Sequence, residues 1–377
     1  MGHQSLQPAW PRGFAPELRS LAETVWRLVH RDSSHAALHM VSRALRELGE
    51  RSPSERRAYL LNLRGIVYAQ QQREAEAVAD LIAASSESPT WYVPLYNLAL
   101  CHKLGRRWRE AEGALMRGLS CLRSRIPARE PSRAMLWNLG LCQTALLRWE
   151  EARQTWRACG LPLPPGQGPV ELDLGLAQLS LPTRGPYAAE RVWVQRLCPA
   201  RARILSVVRY GAPCQFGDVV LCDEGTGHTG FLDGVVAHDE AGGHNRPRDG
   251  CMIYLDTLEP AGYVLHVVRG GPITAAQAAV LTERMREAQL HIEVWSLTMR
   301  LPDAPPPSEG AAVPLCAGLV VAAGKDPRGT AERAVAELRA AERALGTPLY
   351  APTLLLASGD EVGAARHRKA IQGLPDR

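Results

Sequence analysis

Two stretches of this chain, YNLALCHKLGRRWREAEGAL from Tyr96 and WNLGLCQTALLRWEEARQTW from Trp137, are variants of one pattern. Stepping back 34 residues from Tyr92 reaches Ala58, where the same spacing returns. Leucine falls at the fourth position of each unit (Leu61, Leu95, Leu136). A small residue falls at the eighth (Gly65, Ala99, Gly140) and alanine at the twentieth (Ala77, Ala111, Ala152). Leu81, Leu115 and Trp156 share the twenty-fourth, and Pro89 and Pro164 close the first and third units. The third unit starts at Arg133, seven residues late, which places a loop near SRIPARE. A self-similar period of this length means stacked supersecondary units, each unable to bury its apolar face alone.

These positions resemble the tetratricopeptide repeat (TPR). The resemblance implies a helical hairpin per unit, with Gly65, Ala77, Ala99, Ala111, Gly140 and Ala152 as its structural small residues. Leu18–His30 and His35–Leu48 have helical apolar spacing around Asp32-Ser33-Ser34, so a degenerate hairpin is expected ahead of the three. The resemblance also implies a groove lined by the first helix of each hairpin. Its candidate partner-binding residues are Tyr59, Asn62, Tyr96, Lys103, Trp137 and Leu141. Chaperone-binding members clamp a terminal carboxylate with Lys and Asn. Only Lys103 and Asn62 stand in suitable places, so an apolar or mixed peptide anchored on Tyr96 and Trp137 is expected instead. Asn97 and Asn138 are expected to bridge neighbouring hairpins.

With 46% apolar and 22% charged residues the chain reads as globular, and 377 residues exceed one ordinary core. No window holds 18 consecutive apolar residues, and MGHQSLQPAWPRGF lacks the apolar stretch of a secretory signal. A cytoplasmic, bacterial protein is therefore expected, without membrane attachment. Residues 1–190 hold 24 Arg and Lys against 18 Asp and Glu. That excess is modest, so nucleic-acid binding is not expected. Nine cysteines, odd in number and without a C-x-x-C pair, argue against disulfides and zinc ribbons; Cys101 and Cys142 read as buried thiols.

From Arg191 the apolar period becomes two. Val192–Gln195, Ala202–Val208, Asp218–Cys222 and Gly230–Val236 read as strands. Glu190–Val194 and Phe216–Val220 are similar to the E-x-V-W-V and F-G-D-V-V of a small uncharacterised bacterial domain. Next come strand Tyr263–Val268, helix Thr274–Gln289 and strand His291–Arg300. After the loop 303–310 follow strand Leu315–Ala322, helix Thr330–Leu345 and strand Thr353–Ala357, with Thr274 and Thr330 as N-caps. This order predicts a ferredoxin-like βαββαβ sandwich, with a mixed α/β sheet as the alternative.

The expected fold is multidomain: an all-α TPR solenoid, a β-rich module and an α+β domain. The boundaries are a flexible start at 1–17, the array at 18–165, a Pro/Gly-rich linker at 166–190, the β-rich module at 191–258, the ferredoxin-like domain at 259–358 and a tail at 359–377. The segment Gly318–Thr330 has one residue too many for a phosphate loop and no Ser or Thr after Lys325. No G-x-S-x-G elbow occurs. His228, His238 and His244, in the polar loop Asp223–Asp249, are the metal-ligand candidates; their spacings of ten and six match no ligand pattern, so a solvated loop is expected. No cofactor is expected. The function this predicts is a non-enzymatic adaptor gripping a protein partner. The alternatives are an effector or enzyme whose activity lies in 191–358, and a homodimer formed at a sheet edge.

Overall fold

The computed structural model describes residues 16–31, 33–48, 54–125, 132–183, 189–209, 211–223, 251–298 and 311–372. Its amino-terminal half is four helical hairpins in series. They are α1 (Pro16–His30) with α2 (Ser34–Glu47), α3 (Ser54–Gln70) with α4 (Glu74–Glu87), α5 (Val93–Leu104) with α6 (Trp108–Arg125), and α7 (Arg133–Ala145) with α8 (Trp149–Ala158). Each helix packs on the next in sequence, as a solenoid requires.

The repeat shows in the turns as well as in the helices. Gln72, Arg106 and Leu147 adopt left-handed backbone, with φ of 60°, 56° and 57°. After each, an N–H reaches back five residues: Arg73 to the Tyr68 carbonyl at 3.0 Å, Arg107 to His102 at 2.8 Å and Arg148 to Gln143 at 2.9 Å. This bond closes a helix end by satisfying an orphan carbonyl. Small residues sit where helices meet. A Cβ on Gly65 would lie 2.9 Å from Leu81, and one on Gly140 would lie 2.9 Å from the Trp156 ring. Ala77, Ala99, Ala111 and Ala152 are buried.

Five strands then form a closed barrel in sequence order: β1 (Leu176–Pro182), β2 (Ala189–Cys198), β3 (Arg201–Ile204), β4 (Val219–Asp223) and β5 (Met252–Glu259). β1 pairs antiparallel with β2, Leu179 opposite Val192. Leu179, Leu181, Val192 and Val194 are buried while Trp193 between them is exposed, which is the period-two pattern of a sheet with one face covered. β3 ends at Ile204, short of the expected Val208. Gly230–Val236 lies outside the described residues.

The remaining elements are β6 (Tyr263–Ile273), α9 (Ala275–Glu287), β7 (His291–Val294), α10 (Trp295–Thr298), β8 (Val313–Ala322), α11 (Pro327–Leu345), β9 (Leu349–Tyr350), α12 (Pro352–Ser358) and α13 (Glu361–Ile371). The sheet runs β7-β8-β6-β9, with every neighbouring pair antiparallel. Val268 of β6 and Leu315, Ala317, Leu319 and Val321 of β8 face a core shared with α9, α11, α12 and α13. Cys316 and Val320, on the opposite face of β8, pack with Val207 and Trp295.

Three expectations change here. The strand expected at His291–Arg300 ends at Val294, and a helical turn begins with Trp295, whose ring is buried. Thr353–Ala357 is helix, not strand: Pro352 starts it, Leu354 and Leu355 face the core, and Gly359 at φ 87° ends it. The last strand is instead Leu349–Tyr350. Thr330 is not an N-cap, because Asp326 takes that place and accepts the Gly329 N–H at 2.9 Å. Thr274 does cap its helix, in a capping box with Gln277. Residues 361–371, within the expected tail, are helical.

His266 of β6 is buried, and its Nδ1 lies 3.2 Å from the Thr353 hydroxyl. Burial pulls its pKa down to about 4. Between pH 6.5 and about 4 the unfolded chain therefore binds a proton that the folded chain refuses, so stability falls as pH drops through that window. The loss expected is on the order of 3 kcal/mol. Urea unfolding at pH 7 and pH 4.5 measures it, and His266→Leu should flatten that part of the profile.

The covered face of the helical array

The chain divides into two compact units. One comprises residues 1–172, 197–201 and 221–256; the other comprises 173–196, 202–220 and 257–377.

Within the first unit, burial separates the two helices of the third and of the fourth hairpin. α6 keeps an exposed stripe of Arg109, Glu110, Gly113, Met116, Arg117, Ser120 and Arg123. α5 buries Val93 through Cys101 together with Lys103, and α7 buries Met135 through Thr144 without a break. A helix in a two-layer array keeps a wet stripe; one buried all round has a third layer upon it. Among the described residues, the end of β4 reaches side chains of both helices.

Asp223 closes β4, and its carboxylate sits among side chains of α5 and α7. Lys103 Nζ donates to Asp223 Oδ2 at 2.7 Å and to Asn138 Oδ1 at 2.7 Å. Trp137 Nε1 donates to Asp223 Oδ1 at 3.3 Å. The side chains of the ion pair are 4% and 2% exposed, so both charges have left water. Asn138 Nδ2 in turn reaches the Ala134 carbonyl at 2.9 Å and the Tyr96 hydroxyl at 3.4 Å. Burial, and then the negative charge of Asp223, drive the Tyr96 phenol well above its ordinary pKa, so it stays neutral. Burial likewise pushes the thiols of Cys101 and Cys142 up to about 12, which suits packing and not reactivity.

All six candidate groove residues are at most 6% exposed. Tyr96, Lys103 and Trp137 converge on Asp223 or its partners. Asn62 stands apart and accepts a hydrogen bond from Asn97 at 2.9 Å. Tyr59 stacks obliquely near Trp91, with ring centroids 6.2 Å apart, and Leu141 is fully buried. Asn62 therefore lies outside the Lys103 cluster; Asn138 accepts from Lys103 there, and the carboxylate comes from the same chain. Asp223 had attracted notice only beside His228, His238 and His244. Those three histidines lie outside the described residues, and among the described residues no three His, Cys, Asp or Glu gather to hold a metal. The available signal was that Lys103 is the single lysine among the 24 cations of the first 190 residues.

In the second unit, three buried or half-buried carboxylates satisfy backbone groups. Glu190 accepts the Arg209 N–H at 3.0 Å, and Glu293 accepts that of Val207 at 2.8 Å. Burial raises the pKa of both carboxyls. Asp218 accepts N–H groups from Ala261 at 2.7 Å and Gln215 at 2.8 Å. Gly217 before it has φ 84° and no room for a Cβ beside Ala261, while Phe216 stacks on His291 at 4.0 Å. The Glu190 and Glu293 bonds hold the loop after β3 against β2 and β7.

The amino-terminal half is thus a tetratricopeptide-type array, defined by its 34-residue hairpins, their turn geometry and the small residues at helix contacts. No protein-family model and no curated protein matches the chain. Solved structures similar to it include the Sgt2 TPR domain from Aspergillus fumigatus, at 19% identity and a TM-score of 0.30, covering 44% of this chain and 95% of that one. A MamA RS-1 double mutant is 16% identical with a TM-score of 0.31, covering 38% and 74%. MamA AMB-1 is 14% identical with a TM-score of 0.30, covering 40% and 76%. Among the described residues no helix is long and apolar enough to cross a membrane.

Proposed function

We propose that this protein is an interaction scaffold that takes an extended, carboxylate-bearing protein segment on the first-helix face of its array. Tyr59, Asn62, Tyr96, Lys103, Trp137 and Leu141 belong to that face. One observation carries the reading: Lys103, itself held by Asn138, and Trp137 already donate to a carboxylate at the end of a strand, 120 residues from Lys103 in sequence. A cation and an indole N–H, one on each oxygen of the carboxylate, satisfy it in a dry site, which is what recognition of an acidic side chain requires. In the same reading residues 259–358 form a ferredoxin-like domain, supported by the β7-β8-β6-β9 order with helices after the first and third of its strands in sequence.

Leu104 is 55% exposed and adjoins Lys103, whereas Met116, at 56%, stands on the exposed stripe of α6. A photo-crosslinking residue placed at either position in the full chain, in its native cell, tests the reading. A partner adduct is expected from Leu104 and none from Met116. Adducts from Met116 alone, or from neither position, would contradict it.

A further inference from the structure

We infer that the first-helix face of the array is a self-occupied site: the end of β4 is its resident ligand, and a partner segment enters by replacing the Asp223 carboxylate with one of its own. This rests on the scaffold reading and adds the partner's chemistry and the competitor that regulates its entry.

Three observations lead here. Burial leaves no exposed stripe on α5 and α7, and a carboxylate of the same compact unit, Asp223 at the end of β4, is seated among their side chains. The contact at its centre is ionic. Lys103 is 4% exposed, so any occupant without an anion would strand a buried ammonium. That selects an Asp or Glu side chain, or a terminal carboxylate, over an apolar peptide. Finally, the resident ligand is tethered. A tethered segment competes at an effective concentration on the order of millimolar, so weak acidic peptides are excluded and only a partner with further contacts gains entry. The Trp137 ring, which touches Asp223, and the buried Leu100 and Leu141, one turn along their helices from Lys103 and Trp137, are where such contacts would form.

The probe is a dye-labelled peptide with the sequence of residues 216–226, FGDVVLCDEGT, and the same peptide carrying D223N. Fluorescence anisotropy compares both on the full-length wild type and on the full-length D223N variant. The D223N chain is expected to bind the acidic peptide at least tenfold tighter than wild type does, because its Lys103 lacks a resident carboxylate. The amidated peptide is expected to bind neither protein. Equal binding of the acidic peptide to both proteins, or equal binding of the two peptides to the D223N chain, overturns the proposal.

Should the D223N chain fold poorly, wild type alone decides. Millimolar acidic peptide is expected to raise hydrogen exchange at Val219–Asp223, and the amidated peptide is not. No rise with the acidic peptide, or the same rise with both, overturns the proposal. A Leu104 adduct without peptide displacement leaves the scaffold reading standing and removes the resident ligand. Displacement without an adduct does the reverse.

Discussion

Lys103→Met should cost about 3–5 kcal/mol of stability, among the largest losses a single side chain in this protein can cause. The lysine is 4% exposed, and its removal leaves a carboxylate that is 2% exposed, with the Trp137 N–H still donating to it. Methionine matches the length of the lysine stem, so little packing is lost and the change reports mainly on charge. Asn138 loses a donor too, and through it the hydrogen bond to Tyr96 should loosen. Urea unfolding, with hydrogen exchange read at α5, α7 and β4, would measure the loss. A cost below about 1 kcal/mol would mean the pair behaves like a surface ion pair.

Trp156→Ala should cost a similar amount, about 3–5 kcal/mol, for a different reason. Trp156 is fully buried in α8, edge-on to Trp137 at 5.2 Å, and it fills the space left by Gly140 of α7. Its deletion opens a cavity where the fourth hairpin closes, against the helix that carries Trp137 and Asn138. The effect should therefore reach the Asp223 contact, lowering protection at β4 as well as at α7 and α8. Trp156→Phe should lose much less, because the Trp156 N–H has no hydrogen-bond partner among the described residues. A thermal melt of the three proteins separates these outcomes.

The array was legible in the sequence because its determinants are local and periodic. Gly65, Ala99 and Gly140 mark where helices touch, and a 34-residue step finds them without knowledge of the third dimension. The left-handed turn residues were not legible: Gln72, Arg106 and Leu147 share a conformation and no side-chain character. In the carboxy-terminal half β2 and β6, with alternating burial, were found, whereas β1 fell inside the expected linker and β5 had no expected counterpart. The short element Thr353–Ala357 was misread because Leu354-Leu355-Leu356 fits strand or helix, and Pro352 with Gly359 decides between them. β9, two residues long, carries no periodic signal at all.

The site was half legible. Lys103, Tyr96 and Trp137 followed from repeat positions, but their counterpart lies 120 residues away from Lys103, at the end of a strand. Period and spacing cannot report a contact of that range. Two physical hints were in view: a lone lysine on a helix made almost wholly of apolar residues, and an aspartate closing the run Val219-Val220-Leu221-Cys222. Each alone reads as a solvated end. Only as a pair do they make sense inside a core.

A double-mutant cycle across Lys103 and Asp223 tests most directly whether the array holds its own strand through this contact. Urea unfolding would be measured for wild type, K103M, D223L and K103M/D223L. Two groups in contact inside a core should couple by about 1–3 kcal/mol, so the double variant is predicted to be more stable than the sum of the single losses allows. Additivity within about 0.5 kcal/mol would mean that the two residues do not meet, and the self-occupied face would fall with that result.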